Sequence, residues 1–166
     1  MPVQFLRADS TSPVKSAEWA AMRKALDDSI GAAIAERGVG RKWAYAADIA
    51  KMAKRNSDYA SDPYALGARG LLNPQLKAGD PAPSIVVNNM RSLIALGDSR
   101  FAVVPVELWF AKRGAETRPV LRIVLVDGRV GQVVWFTDVA GAPGTNFASP
   151  ELGALAQRVA DLVAAR

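Results

Sequence analysis

The sequence predicts an α/β fold: a mixed sheet of about four to five strands with helices packed on its faces, closing with a three-stranded meander and a helix. Three observations carry this. Apolar residues recur at helical spacing from Trp19 to Ile34. Three runs rich in β-branched and aromatic residues follow one another between Phe101 and Thr137. A second helical repeat follows Ser149-Pro150. The 166 residues, 50% apolar and 22% charged, fit a single domain over 1–166 with a real core and do not fit a disordered chain.

Taken in order, Val3 to Leu6 reads as a short strand and Ala8 to Lys15 as a polar loop. Ser12-Pro13 fits a cap followed by Pro at a first helical position. Trp19, Met22, Leu26, Ile30, Ala33 and Ile34 then form one face of a helix, which Arg37-Gly38 ends. From Trp43 to Leu72 the signals are helical but broken, and within them Ala46 to Arg55 is Ala-rich with Lys51, Lys54 and Arg55 on its exposed side. Asp62-Pro63 is a start signal for a short helix through Gly70. Pro74, Gly79, Pro81 and Pro83 make residues 73–83 a loop. Ser84 to Leu96 reads as a helix stopped by Gly97, although its Ile-Val-Val opening also suits a strand.

In the last third, Phe101–Phe110, Val120–Val126 and Val130–Thr137 read as strands. Arg113–Arg118 joins the first pair and a tight turn at Asp127-Gly128-Arg129 joins the second. Ala102, Val104, Val106, Leu108 and Phe110 alternate onto one buried face, while Pro105 signals an edge, a bulge or an irregular pairing. Gly141 to Asn146 is a loop. Leu152, Leu155, Val159, Leu162 and Val163 form the apolar face of the closing helix.

Composition excludes much chemistry. With no His and no Cys, zinc centres, thiolate nucleophiles, disulfides, His-ligated haem and Ser-His-Asp triads are ruled out. No catalytic, metal or cofactor set is expected. Gly38-Val39-Gly40 follows a helix and lacks the third Gly of a dinucleotide motif, so it reads as a helix end. The strand-borne carboxylates are Glu107, Asp127 and Asp138. Asp127 is explained by its turn, Asp138 by a strand end, and Glu107 by a solvated or ion-paired place opposite the apolar face. No run of roughly 18 to 20 apolar residues suits a membrane span. The net charge of +5 is spread among mixed signs, so nucleic acid is not the favoured partner.

The best basic-plus-aromatic cluster is Lys51, Lys54 and Arg55 with Tyr59 and Tyr64. Trp109 and Trp135, expected on neighbouring strands, are the other candidates for an interaction surface.

The run from Arg122 to Trp135, Arg-Ile-Val-Leu-Val-Asp-Gly-Arg-Val-Gly-Gln-Val-Val-Trp, resembles the hairpin of a group of bacterial envelope domains. These are the curli-secretion lipoprotein CsgG, the penicillin-binding-protein activator lipoproteins and the N-terminal domain of TolB. The order around it is similar: an initial strand near Pro2-Val3, a long helix holding Ala25–Ile30, a strand at Val103-Val104, the hairpin and a closing helix. The chain differs in its short first strand, in Tyr45–Pro83 and in having no lipidated Cys.

The resemblance implies a non-enzymatic, periplasm-facing accessory or assembly domain that contacts envelope proteins or a second copy of itself, with no cofactor and no catalytic residue. It implies outer-membrane association only through an N-terminal anchor removed from this chain. The alternative is a cytosolic domain that binds nucleic acid with the Lys51, Lys54 and Arg55 face. A carboxylate enzyme centred on Glu107 is the third.

Overall fold

The computed structural model describes residues 1–7, 12, 14–39, 43–144 and 149–165. Among them lie four α-helices, α1 (Trp19–Glu36), α2 (Ala46–Arg55), α3 (Ser84–Leu96) and α4 (Ser149–Ala164). The strands are β1 (Phe5–Leu6), β2 (Phe101–Arg113), β3 (Glu116–Asp127) and β4 (Gln132–Ala140). They form one open, mixed sheet in the order β1-β2-β3-β4. β1 runs parallel to β2, with Phe5 opposite Glu107 and Leu6 opposite Leu108, and β2, β3 and β4 are the expected meander, followed by α4. The α/β class is as predicted.

By contacts the chain divides into two compact units of interleaved sequence. Met1–Gln4, Ala44–Val106 and Arg122–Thr137 make one; Phe5–Trp43, Glu107–Leu121 and Asp138–Arg166 make the other.

The first unit contains α2 and α3. Its core includes Val3, Ile49, Leu66, Leu71, Val86, Met90, Leu93 and the β2 residues Val104 and Val106. Gln4 is a buried polar group of this unit: Nε2 donates to the carbonyls of Pro2 (2.8 Å) and Pro63 (2.9 Å), and Oε1 accepts the Leu66 N–H at 3.1 Å. The Gln4 amide itself donates to Pro105 O at 3.0 Å. In extended chain a residue's N–H and C=O point the same way, so the missing donor of Pro105 faces the Met1–Gln4 run. The irregular pairing expected at Pro105 is found there: regular strand begins only at Phe5 rather than at Val3.

Two expectations in this unit fail. Asp62-Pro63 does not start a helix: Asp62 Oδ1 accepts the Tyr64 N–H at 2.9 Å, an Asx turn. Gly67 at φ 73° then sets the chain for a short 3-10 segment at Ala68–Leu72. Val130 is likewise not in a strand. Asp127 O accepts the Gly131 N–H at 2.8 Å and Asp127 Oδ1 the Arg129 N–H at 2.9 Å, so the turn runs to Gly131, at φ 69°, and leaves Val130 61% exposed. Ser84–Leu96 is a helix, so the strand alternative falls.

The second unit is organised by the packing of α1 on α4. Leu26, Ala33 and Ile34 on α1, and Leu152, Leu155, Ala156, Val159 and Ala160 on α4, are buried. Arg37 fastens the pair. It donates to Ala33 O at 2.6 Å, capping α1, and its guanidinium reaches Gln157 O (2.9 Å) and Asp161 Oδ1 (2.6 Å) on α4. Gly38 at φ 74° provides the left-handed residue that ends α1, as its position after the helix predicted; Gly40 lies outside the described residues.

The start of α1 differs from expectation. A 3-10 turn at Ser16–Glu18 precedes it, and Glu18 reaches back to the Lys15 N–H at 3.2 Å in the manner of a capping box. Ser12 instead accepts the Val14 N–H at 3.3 Å, and Pro13 lies outside the described residues. The β2–β3 connection is only Gly114-Ala115, with Gly114 at φ 64°, so both strands extend further than Phe110 and Val120.

Candidate functional site

Among the described residues, the surface with the most unabsorbed chemistry lies on α2 and the loop behind it. α2 buries Ile49 and Ala53 and turns Lys51, Lys54 and Arg55 outward. No ion pair to any of the three is found among the described residues. Asn56 ends the helix: its N–H donates to Ala53 O (3.1 Å) and its Nδ2 to Met52 O (2.8 Å). It then organises the loop, since its carbonyl accepts the Ala60 N–H (2.9 Å) and its Oδ1 the Tyr59 hydroxyl (2.9 Å). That hydroxyl bond holds Tyr59 in place while 62% of the residue stays exposed.

Loop and helix enclose an open groove of about 250 Å³. Ala50, Ala53 and Lys54 line it from α2, and Ser57, Ala60, Ser61, Asp62, Pro63 and Tyr64 line the far wall from the loop. The far wall is anchored from behind. Ser61 N–H donates to Ser92 Oγ on α3 at 3.3 Å, and the carbonyl of buried Pro63 accepts from Gln4. The predicted residues Lys51, Lys54, Arg55, Tyr59 and Tyr64 therefore belong to one unit, and of them Lys54 and Tyr64 line the groove.

The two tryptophans do not join them as expected. Trp109 is on β2 and Trp135 on β4, which are separated by β3, so they are not on neighbouring strands. The Arg7 guanidinium lies 4.9 Å from the Trp109 ring centroid and pairs with Glu107. Trp109 is thus covered on that face by a packed cation. Trp135 is half-buried on the side of β4 that also holds buried Val133.

Two of the three carboxylates considered for acid–base work are held by arginines. Glu107 is 8% exposed and bound by Arg7, the ion-paired place expected for it. Asp127 takes a two-pronged bond from Arg100, Nε at 2.9 Å and Nη2 at 2.7 Å. That guanidinium holds the Asp127 carboxyl below its ordinary value; burial opposes it, and the Arg129 N–H adds to the lowering. Asp138 is exposed near the end of β4. No group of three or more acidic side chains placed to hold a metal occurs among the described residues. No helix among them is long and apolar enough to cross a membrane.

Sequence reading missed the exposed apolar residues Ile85, Phe101, Val134 and Phe136. The signal for the last two was present: Val134 and Phe136 share one face of β4 and Val133 and Trp135 the other, but all four are apolar, so alternation alone does not tell inside from outside.

Comparison with protein families, with curated proteins and with solved structures gives no match to this chain.

Proposed function

We propose that this is a non-enzymatic binding domain that works through protein–protein contacts, with α2 and the loop 56–64 as its contact face. The observation that carries the reading is the set of three cations with no ion-pair partner among the described residues, Lys51, Lys54 and Arg55, beside a largely apolar groove and the exposed, hydrogen-bonded ring of Tyr59. Aromatic and cationic side chains next to a preformed apolar recess are the usual anchors of protein recognition. The partner is another protein or a second copy of the chain. A periplasm-facing setting rests on the Arg122–Trp135 hairpin likeness alone.

A photo-crosslinking residue in place of Tyr59, installed in cells that make the native protein, tests the contact face. Adducts that vanish in a Lys51→Glu/Lys54→Glu background are expected; no adduct, or adducts indifferent to those charges, sinks the reading. Fractionation of the same cells tests the setting, with recovery in the cytosol counting against the envelope.

The second reading, binding of nucleic acid, is favoured by the same three cations on one helix face. Against it, Asp58 and Asp62 follow directly and place negative charge beside the cations, with Asp62 lining the groove.

A further inference from the structure

We infer that the α2 groove receives an acidic peptide segment that seats one apolar side chain between Ala53 and Pro63. This rests on the reading of α2 as the contact face and specifies the chemistry of its partner. Two features of the groove argue for it.

The first is size and lining. A recess of about 250 Å³ lined by Ala50 and Ala53 of the helix and Ala60 and Pro63 of the loop has room for one branched or aromatic side chain and lies below the usual size of a small-molecule pocket. Its walls are held before any partner arrives, by the Asn56 bonds at one end and the Ser61–Ser92 and Pro63–Gln4 bonds at the other. Binding there therefore orders little of the protein, which keeps affinity from being lost to entropy.

The second is the direction of charge. Lys54 stands on the α2 wall, with Lys51 and Arg55 one turn or less away. No carboxylate among the described residues lies within ion-pair distance of them. The acidic residues of this region are Asp48, in the first turn of α2 and away from the groove lining, and Asp58 and Asp62 in the loop, where Asp62 lines the groove and already accepts the Tyr64 N–H. A segment whose carboxylates face α2 meets charge of opposite sign there, which steers encounter and fixes register. The flexible stems of Lys51 and Lys54 let their ammonium groups follow a peptide lying along the helix.

The test uses the whole chain, isotope-labelled for amide spectra. The probe is a synthetic peptide of about eight residues, long enough at roughly 3.3 Å per residue to run past the groove, with one central leucine among glutamates. Shifts confined to the amides of residues 50–64 are expected. Lys54→Glu, and more mildly Lys54→Gln, should weaken binding, the former by about tenfold or more. Arg129→Glu, an exposed cation outside the groove, should leave it unchanged, and a leucine-to-glycine probe should bind about tenfold more weakly.

Absence of shifts, shifts indifferent to Lys54, or equal binding of the glycine probe overturns the inference. If the peptide fails while crosslinking at Tyr59 still gives charge-dependent protein adducts, the contact face stands and the acidic partner falls. If oligothymidylate shifts the same amides more strongly than the peptide, the partner is nucleic acid and the inference is likewise overturned.

Discussion

At the scale of single residues, the structure turns on a few polar groups placed where only particular partners satisfy them. Gln4 serves three backbone groups at once, two carbonyls and one N–H, with both ends of its amide in use. Gln4→Leu leaves the Leu66 N–H and Pro63 carbonyl buried without it. A loss of about 1–3 kcal/mol is expected in a denaturant titration. The same change should loosen the far wall of the groove, seen as faster amide exchange at residues 60–66.

Asp127 behaves differently, because its charge is what the fold uses. Its carboxyl is held below the ordinary value, chiefly by Arg100, so the folded state binds its proton less readily than the unfolded chain. The resulting stabilisation is fully present above the usual carboxyl range near 3.8 and is lost as pH falls through the lower, folded value. Stability curves for Asp127→Asn should therefore fall less steeply with acid below about pH 4 than those of the parent, the two converging at low pH. Parallel curves would show that the Arg100 bond contributes nothing that titrates. Gly131 tests backbone rather than charge. At φ 69°, with Val87 carbons 3.3 Å from where a Cβ would sit, Gly131→Ala should cost about 1–2 kcal/mol.

At the scale of elements, helix ends and hairpin turns decide where each segment stops. α1 needs no side-chain cap at its start, because the 3-10 turn and the Glu18 reach-back organise it. Its end is secured twice, by Gly38 and by Arg37, whose guanidinium also binds α4. Much of that arginine's value lies in coupling two elements, so Arg37→Ala should speed amide exchange at the C-terminal turns of both α1 and α4. Change confined to α1 would mean a simple cap. Leu155, fully buried on α4, packs beside Gly141, and Leu155→Ala should cost about 2–5 kcal/mol by the cavity it leaves. Lys54 and Arg55 sit in the last turn of α2, where cations also complement the carbonyl end of the helix. Lys54→Glu should thus lower stability by about 0.3–1 kcal/mol in addition to its effect on binding, and Lys54→Gln by less.

At the scale of the whole molecule, a net charge of +5 and a sequence pI near 9.8 fix how the protein meets polyanions in general. Three cations on α2 contacting phosphates give a salt slope of about −2 for a single strand, hence roughly a 20-fold loss of affinity between 50 and 200 mM salt. A steeper slope would need cations beyond this face, and flat binding would leave nucleic acid without support. The fold is the kind in which long strands carry elements of different sequence distance: β2, β3 and β4 each contribute residues to both compact units.

What the sequence determined by itself was whatever repeats locally. The burial of Ala102, Val104, Val106, Leu108 and Phe110, the extent of α2, and the apolar faces of α1 and α4 follow from periods of 2 and 3.6 residues. So does the outward set of Lys51, Lys54 and Arg55, since a helix places residues three and four apart on one side. What only the tertiary structure decided was which local signals were overruled and by whom. Asp62-Pro63 carries the residues of a helix start, yet its carbonyl is held by Gln4, distant by 59 positions in sequence. Trp109 looks like an interaction residue until Arg7, pinned by Glu107, covers it. The groove is of the same kind. Of its lining, Lys54 and Tyr64 were legible as candidates, but the alanines and Pro63 between them are singled out by no pattern and are held in place by bonds to Gln4 and Ser92. Periodicity reports which side of an element is apolar; the partner of a polar group is set by chain folding over long separations, which no local pattern encodes.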